Sequence, residues 1–173
     1  MSISDRNIVL CGFMGAGKSE VGRLLADELS RQLVDTDALI EEEAGLTISE
    51  IFRRYGEKHF RQLERCQLVM LKGKRQLVVA SGGGTLADPA NLADLRADGV
   101  IFYLKAEFAK LMERVGKGGT RPLISGAGSE QVLRRLLEER ERIYCQADFV
   151  VDTSHLRPGE VSGMVIKLFS DLT

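Results

Sequence analysis

The sequence predicts an α/β chain: a mainly parallel sheet of five strands, covered by helices on both faces in three layers. Short apolar runs recur at residues 8–11, 33–34, 77–80, 100–104 and 149–151, and segments of helical periodicity separate them. Strands alternating with helices build βαβ units, whose sheet is parallel and buried on both sides. The 173 residues, 44% hydrophobic and 28% charged, suit one soluble domain with a full core, residues 1–173. No internal repeat and no linker rich in Pro or Ser divides them.

The first run leads into Gly12-Phe13-Met14-Gly15-Ala16-Gly17-Lys18-Ser19, which fits G-x-x-x-x-G-K-[ST]. From residue 20 onward Val21, Leu24, Leu25 and Leu29 repeat with helical spacing. Strand, glycine loop and helix is the arrangement in which backbone N–H groups and a helix N-terminus converge on a phosphate. The glycines let the backbone wrap an anion without β-carbon clashes. Lys18 can reach β- and γ-phosphates, and the Ser19 hydroxyl can ligate Mg²⁺. The bland alternative is a glycine turn with Lys18 merely solvated.

Asp35-Thr36-Asp37 follows the second run, at the strand edge where open α/β sheets bind ligands. If the chain stays extended, the two carboxylates share a side. One could hold Mg²⁺, directly or through water, and the other could accept a substrate proton or hydrogen bond. Two acids of a turn or helix cap are the other reading. Thr47-Ile48-Ser49-Glu50 is a capping box opening the next helix. Ser81-Gly82-Gly83-Gly84 follows the third run, where three glycines permit close backbone approach to a ligand or simply a flexible turn.

Asp88-Pro89 marks a further helix start, and Pro158 opens the last helix, with Val161, Val165, Ile166 and Phe169 facing inward. Residues 116–128 hold five glycines together with Arg121 and Pro122, and are expected to form a mobile lid. An arginine on a lid, Arg121, can stabilise a transferring phosphoryl group. Arg61 and Arg140 stand in helical segments where solvated arginines are common. Glu64, three positions after Arg61, can pair with it.

The net charge of −1 gives no global field for nucleic acid or an anionic membrane, so neither is an expected partner. Cys11, Cys66 and Cys145 are scattered and form no C-x-x-C, which argues against a disulfide framework or a zinc site. Residues 1–6 lack a signal-peptide apolar stretch and no run reaches bilayer length, so a cytoplasmic enzyme is expected. No N-K-x-D or T-K-x-D stretch supports a guanine-nucleotide switch.

Taken in order, the phosphate loop, Asp35-Thr36-Asp37, Gly56-Glu57, Phe60-Arg61, Gly82-Gly83-Gly84, Arg121-Pro122-Leu123 and Arg140 four before Tyr144 make the chain resemble the shikimate kinase family nearly end to end. The resemblance implies the architecture of phosphate-loop kinases of the nucleoside monophosphate kinase type. It implies ATP as donor and transfer to the 3-hydroxyl of shikimate, in the route to chorismate and aromatic amino acids. Gly12, Met14, Gly15, Ala16, Gly17, Lys18, Ser19 and Glu20 would hold ATP, with Arg114 against adenine and Arg121 closing from the lid. Ser19 and Asp35 would serve Mg²⁺.

By the same resemblance Asp37 would hydrogen-bond the ring hydroxyls and is the candidate to accept the proton. Lys18, Asp37 and Arg121 would form the catalytic set. Arg61 and Arg140 would clamp the carboxylate and Glu64 would orient Arg61. Phe52, Phe60, Gly82, Gly83, Gly84, Pro122 and Leu123 would line the pocket. Arg142 stands where the family often has a proline. A monomer is expected. The alternative is a related kinase acting on gluconate or a nucleoside monophosphate.

Overall fold

The computed structural model describes residues 3–117 and 129–172. Among the described residues, five strands form one sheet: β1 (Asn7–Cys11), β2 (Gln32–Asp35), β3 (Leu77–Ala80), β4 (Gly99–Lys105) and β5 (Phe149–Asp152). Their order is β2-β3-β1-β4-β5 and every pairing is parallel, with Leu10 of β1 opposite Ala80 on one side and Phe102 on the other. All five predicted strands are present. Ile8, Val9, Leu10 and Cys11 are at most 1% exposed, as the continuous apolar run requires of a central strand. Burial of each larger side chain among them is worth about 1.5–3 kcal/mol.

Among the described residues, seven α-helices accompany the strands: α1 (Lys18–Leu29), α2 (Thr36–Ala44), α3 (Ile48–Leu71), α4 (Pro89–Asp98), α5 (Phe108–Lys117), α6 (Ser129–Tyr144) and α7 (Pro158–Ser170). The β1-to-β2 and β3-to-β4 crossovers run in opposite directions across the sheet. Right-handed crossover geometry therefore places α1 and α4 on opposite faces. α1 packs with α7 and α3 packs with α4, which gives the outer layers. Between β1 and β3 the chain reverses its direction of winding. A crevice opens there at the carboxyl ends of the strands.

The capping signals hold. Thr47 accepts from Glu50 N at 3.3 Å while Glu50 accepts from Thr47 N at 3.0 Å, and Asp88 accepts from Ala90 N at 2.8 Å. Leu24 is half-exposed despite its helical spacing, and Ile166 is only partly buried, while Val161, Val165 and Phe169 are buried. α3 bends at Gly56, whose φ of 79° and ψ of 173° are accessible to glycine and strained for other residues. Phe60, just beyond the bend, joins Ile40 and Ile51 in a small second core between α2 and α3. Gly116 and Lys117 end α5 as helix, so the irregular stretch expected from residue 116 does not begin there. The rest of the expected lid, with Arg121, Pro122 and Leu123, lies outside the described residues.

Candidate active site

The phosphate loop leaves β1 at Gly12 with φ 146°, turns through Gly15 at 79°, and enters α1 at Gly17 with φ 89°. A β-carbon at Gly12 would lie 2.6 Å from the Leu104 carbonyl oxygen. Met14 and Ala16 are buried, so their side chains anchor the loop and only their backbone can address a ligand. Lys18 donates to the carbonyls of Gly12 and Phe13 at 2.8 and 3.1 Å, which bends its ammonium back over the loop. Glu20 stands exposed in the first turn of α1.

Asp35 and Asp37 do not share a side. The expectation of an extended pair is corrected by Asp35 itself, whose Oδ1 accepts from Asp37 N and Ala38 N at 3.1 and 3.3 Å and starts α2 at once. Its Oδ2 accepts from the Ser19 hydroxyl at 2.6 Å. One carboxylate thus caps a helix and joins the phosphate loop, so the two readings of this acid are compatible. The pair Ser19–Asp35 offers two oxygen ligands. Among the described residues no cluster of three or more His, Cys, Asp or Glu could hold a metal. Two oxygens fit Mg²⁺, which keeps several waters and takes the rest of its shell from phosphates.

Asp37, in the first turn of α2, points instead to the glycine triplet. A β-carbon on Gly82 would lie 2.5 Å from Asp37 Oδ1, one on Gly83 would lie 3.3 Å from an Arg140 nitrogen, and one on Gly84 would lie 2.5 Å from Arg61 Nη2. Three successive glycines thus receive three side chains from α2, α6 and α3. Thr36, fully buried, accepts from Gly82 N at 3.0 Å and fixes α2 to this loop. Ser81 donates from both its N–H and its hydroxyl to the Leu10 carbonyl at 3.0 Å, holding the triplet beside the phosphate loop.

Arg61 spans a carboxylate on each side, Glu64 Oε2 at 2.9 Å and Glu57 Oε1 at 3.1 Å. Burial works against its charge, and Glu64 and Glu57 outweigh that and push its pKa up. Glu64 is only 1% exposed, and its Oε1 accepts from the Thr85 hydroxyl at 2.5 Å. Tyr144 donates to the Gly83 carbonyl and packs on Tyr103 with ring centroids 5.0 Å apart. Burial raises the Tyr144 phenol to about 12, partly offset by Arg140. Phe60 is buried and lies 4.8 Å, centroid to centroid, from the more exposed Phe52. Arg114 donates to the Thr153 hydroxyl and carbonyl at 3.2 and 2.6 Å, joining α5 to the segment after β5.

The sequence reading missed Thr36, Thr85 and the role of Tyr144. Thr36 was visible only as the residue between two acids, and Tyr144 only by its spacing from Arg140. Nothing local marks Thr85, because its partner Glu64 is 21 residues away.

The family model described as shikimate kinase matches residues 14–169. A shikimate kinase of Thermodesulfovibrio yellowstonii is 40% identical over 168 residues, 97% of this chain and 97% of that protein. The structure of shikimate kinase from Acinetobacter baumannii in complex with shikimate superposes with a TM-score of 0.92 at 34% identity, covering 98% of this chain and 96% of the other. A gluconokinase from Sinorhizobium meliloti, at 19% identity and a TM-score of 0.65 over 98% of this chain and 94% of the other, shares the fold alone. The chain belongs to the shikimate kinase family.

Proposed function

We propose that this chain transfers the γ-phosphoryl group of ATP to the 3-hydroxyl of shikimate, giving shikimate 3-phosphate and ADP, with Mg²⁺ bound to the nucleotide. The observation that carries the reading is the meeting of Asp37, Arg140 and Arg61 on Gly82, Gly83 and Gly84, directly beside the loop of residues 12–19.

The roles follow from chemistry. Backbone N–H groups from Gly12 and from Met14 to Ser19, with Glu20 following at the helix start, receive the β- and γ-phosphates. Lys18 neutralises them once its ammonium turns from the loop carbonyls. Mg²⁺ would be held by the Ser19 hydroxyl and, directly or through water, by Asp35, and would supply charge neutralisation between the phosphates. Arg61 and Arg140 present planar guanidinium groups to a carboxylate, which they can bind with paired hydrogen bonds. Asp37 orients the attacking hydroxyl; in a loose transition state its proton leaves late, so orientation is the larger part of that role. Arg114 lies against adenine, and Arg121 with Pro122 and Leu123 closes over the transfer. The chain acts as one unit and as a monomer in the cytoplasm. Among the described residues no helix is long and apolar enough to cross a membrane.

The direct test is the position of the new phosphate. Incubation with ATP, Mg²⁺ and shikimate, followed by phosphorus–proton NMR correlation, is expected to couple phosphorus to the proton on C3. Phosphate on another oxygen, or unreacted shikimate, would contradict the reading.

A further inference from the structure

Behind Arg61 a chain of polar contacts runs from the buried Glu64 and Thr85 to α4. Glu64 holds the guanidinium through Oε2 at 2.9 Å, and its Oε1 takes the Thr85 hydroxyl at 2.5 Å. Thr85 is fully buried and Glu64 is 1% exposed. The Thr85 N–H donates to the Gly82 carbonyl at 3.1 Å, so the residue is built on the same glycine turn that lines the site. Its own carbonyl accepts from Asn91 Nδ2 at 3.1 Å, and Asn91 Oδ1 accepts from Arg65 at 3.1 Å. Arg65 then meets Asp94 at 2.6 Å, anchoring the chain on α4.

A carboxylate removed from water this completely must be paired and hydrogen-bonded. Glu64 has one partner on each oxygen among the described residues. Removing the donor on Oε1 leaves the group two ways to recover. It can rotate toward another donor and carry Arg61 with it, or it can admit water and loosen. Either outcome displaces the guanidinium from Gly84, where the free space is too small for alternatives: a β-carbon there would meet Arg61 Nη1 at 2.6 Å and Nη2 at 2.5 Å.

We infer that Thr85 is a positioning residue for the acceptor substrate: its hydroxyl fixes Glu64, which fixes Arg61 in the pose that receives the substrate carboxylate. The inference rests on the proposed function, in which Arg61 binds that carboxylate. It assigns to Thr85 an effect on one substrate only. The phosphate loop reaches this chain through Ser81 and Leu10, and the main-chain contacts there are independent of the Thr85 side chain.

The experiment is steady-state kinetics on Thr85→Val, Thr85→Ser, Arg61→Ala and the Thr85→Val/Arg61→Ala double variant, varying shikimate and ATP separately. Thr85→Val keeps the shape and loses the donor, so KM for shikimate is expected to rise about fivefold or more, as for a lost hydrogen bond to a buried charge. KM for ATP and kcat are expected to stay within about twofold, the pattern of lost ground-state binding of one substrate. Thr85→Ser retains the donor and is expected to restore KM. On the Arg61→Ala background, Thr85→Val is expected to add nothing, because its path to substrate is gone. Should Thr85→Val not fold, Thr85→Ala replaces it in the same cycle. Equal increases in both KM values, or an effect fully additive with Arg61→Ala, would overturn the inference. An inert wild type with shikimate would overturn the functional reading instead, a result distinct from an unresponsive Thr85 variant.

Discussion

Gly84 is glycine because of Arg61. Its φ of −108° is open to any residue, yet a β-carbon would lie 2.5 Å from the arginine Nη2. The obstructing atoms are the tip of a flexible side chain, so Gly84→Ala is expected to fold and to push the guanidinium aside. KM for shikimate should rise about tenfold or more, as for loss of a charged hydrogen bond, with KM for ATP little changed. Thermal melting alongside kinetics checks this: a large fall in Tm without a selective rise in KM would show that the contact is packing only.

Gly15 presents the opposite case. Its φ is 79°, and a β-carbon would meet the Leu111 carbonyl at 2.8 Å and Val115 at 2.9 Å. Backbone cannot step aside as a guanidinium can. Gly15→Ala is therefore expected to cost roughly 1–3 kcal/mol of stability from the strained φ alone. It should also weaken ATP far more than shikimate, which calorimetric titration with each ligand measures.

Asp37→Asn preserves size and removes charge on the side chain facing Gly82. Turnover is expected to fall about a hundredfold, at the low end of general-base contributions, with Tm nearly unchanged. Wild-type turnover in this variant would remove Asp37 from the catalytic set.

Burial raises the Cys11 thiol from 9.0 to about 12 and the Tyr144 phenol from 10.0 to about 12. Both are neutral when folded and ionise first when unfolded, so above pH 9 the unfolded chain binds fewer protons and stability falls as pH rises. The stabilisation is complete below pH 9 and is lost progressively toward about 12. Tyr144→Phe is expected to flatten this alkaline loss of Tm. It should also raise KM for shikimate, because the phenol no longer ties α6 and its Arg140 to Gly83. An unchanged alkaline slope would mean that Tyr144 does not carry the titration.

The strands were legible because a doubly covered parallel sheet leaves continuous apolar runs, as in Ile8, Val9 and Leu10. Helix starts at Thr47 and Asp88 were legible because capping is local chemistry. The extended run was expected to continue through Asp37, but Asp35, itself extended as the last residue of β2, caps α2 and turns the chain helical at Thr36. Only the fold shows that its other oxygen reaches Ser19, 16 residues back. The arginines were ambiguous for a similar reason. Arg61 and Arg140 look like solvent charges until the turn after β3 brings them to adjacent glycines, an encounter across helices that no local period encodes. The resemblance to a family supplied those pairings, and the geometry gives their physical basis.

The central claim is that the site beside the phosphate loop is built for one acceptor, and acceptor choice tests it most directly. ADP release should be measured with shikimate, gluconate and AMP side by side, at equal concentrations with ATP and Mg²⁺. Rapid release with shikimate and near-background release with the other two is the expected result. No turnover of shikimate, or faster turnover of gluconate or AMP, would contradict the claim.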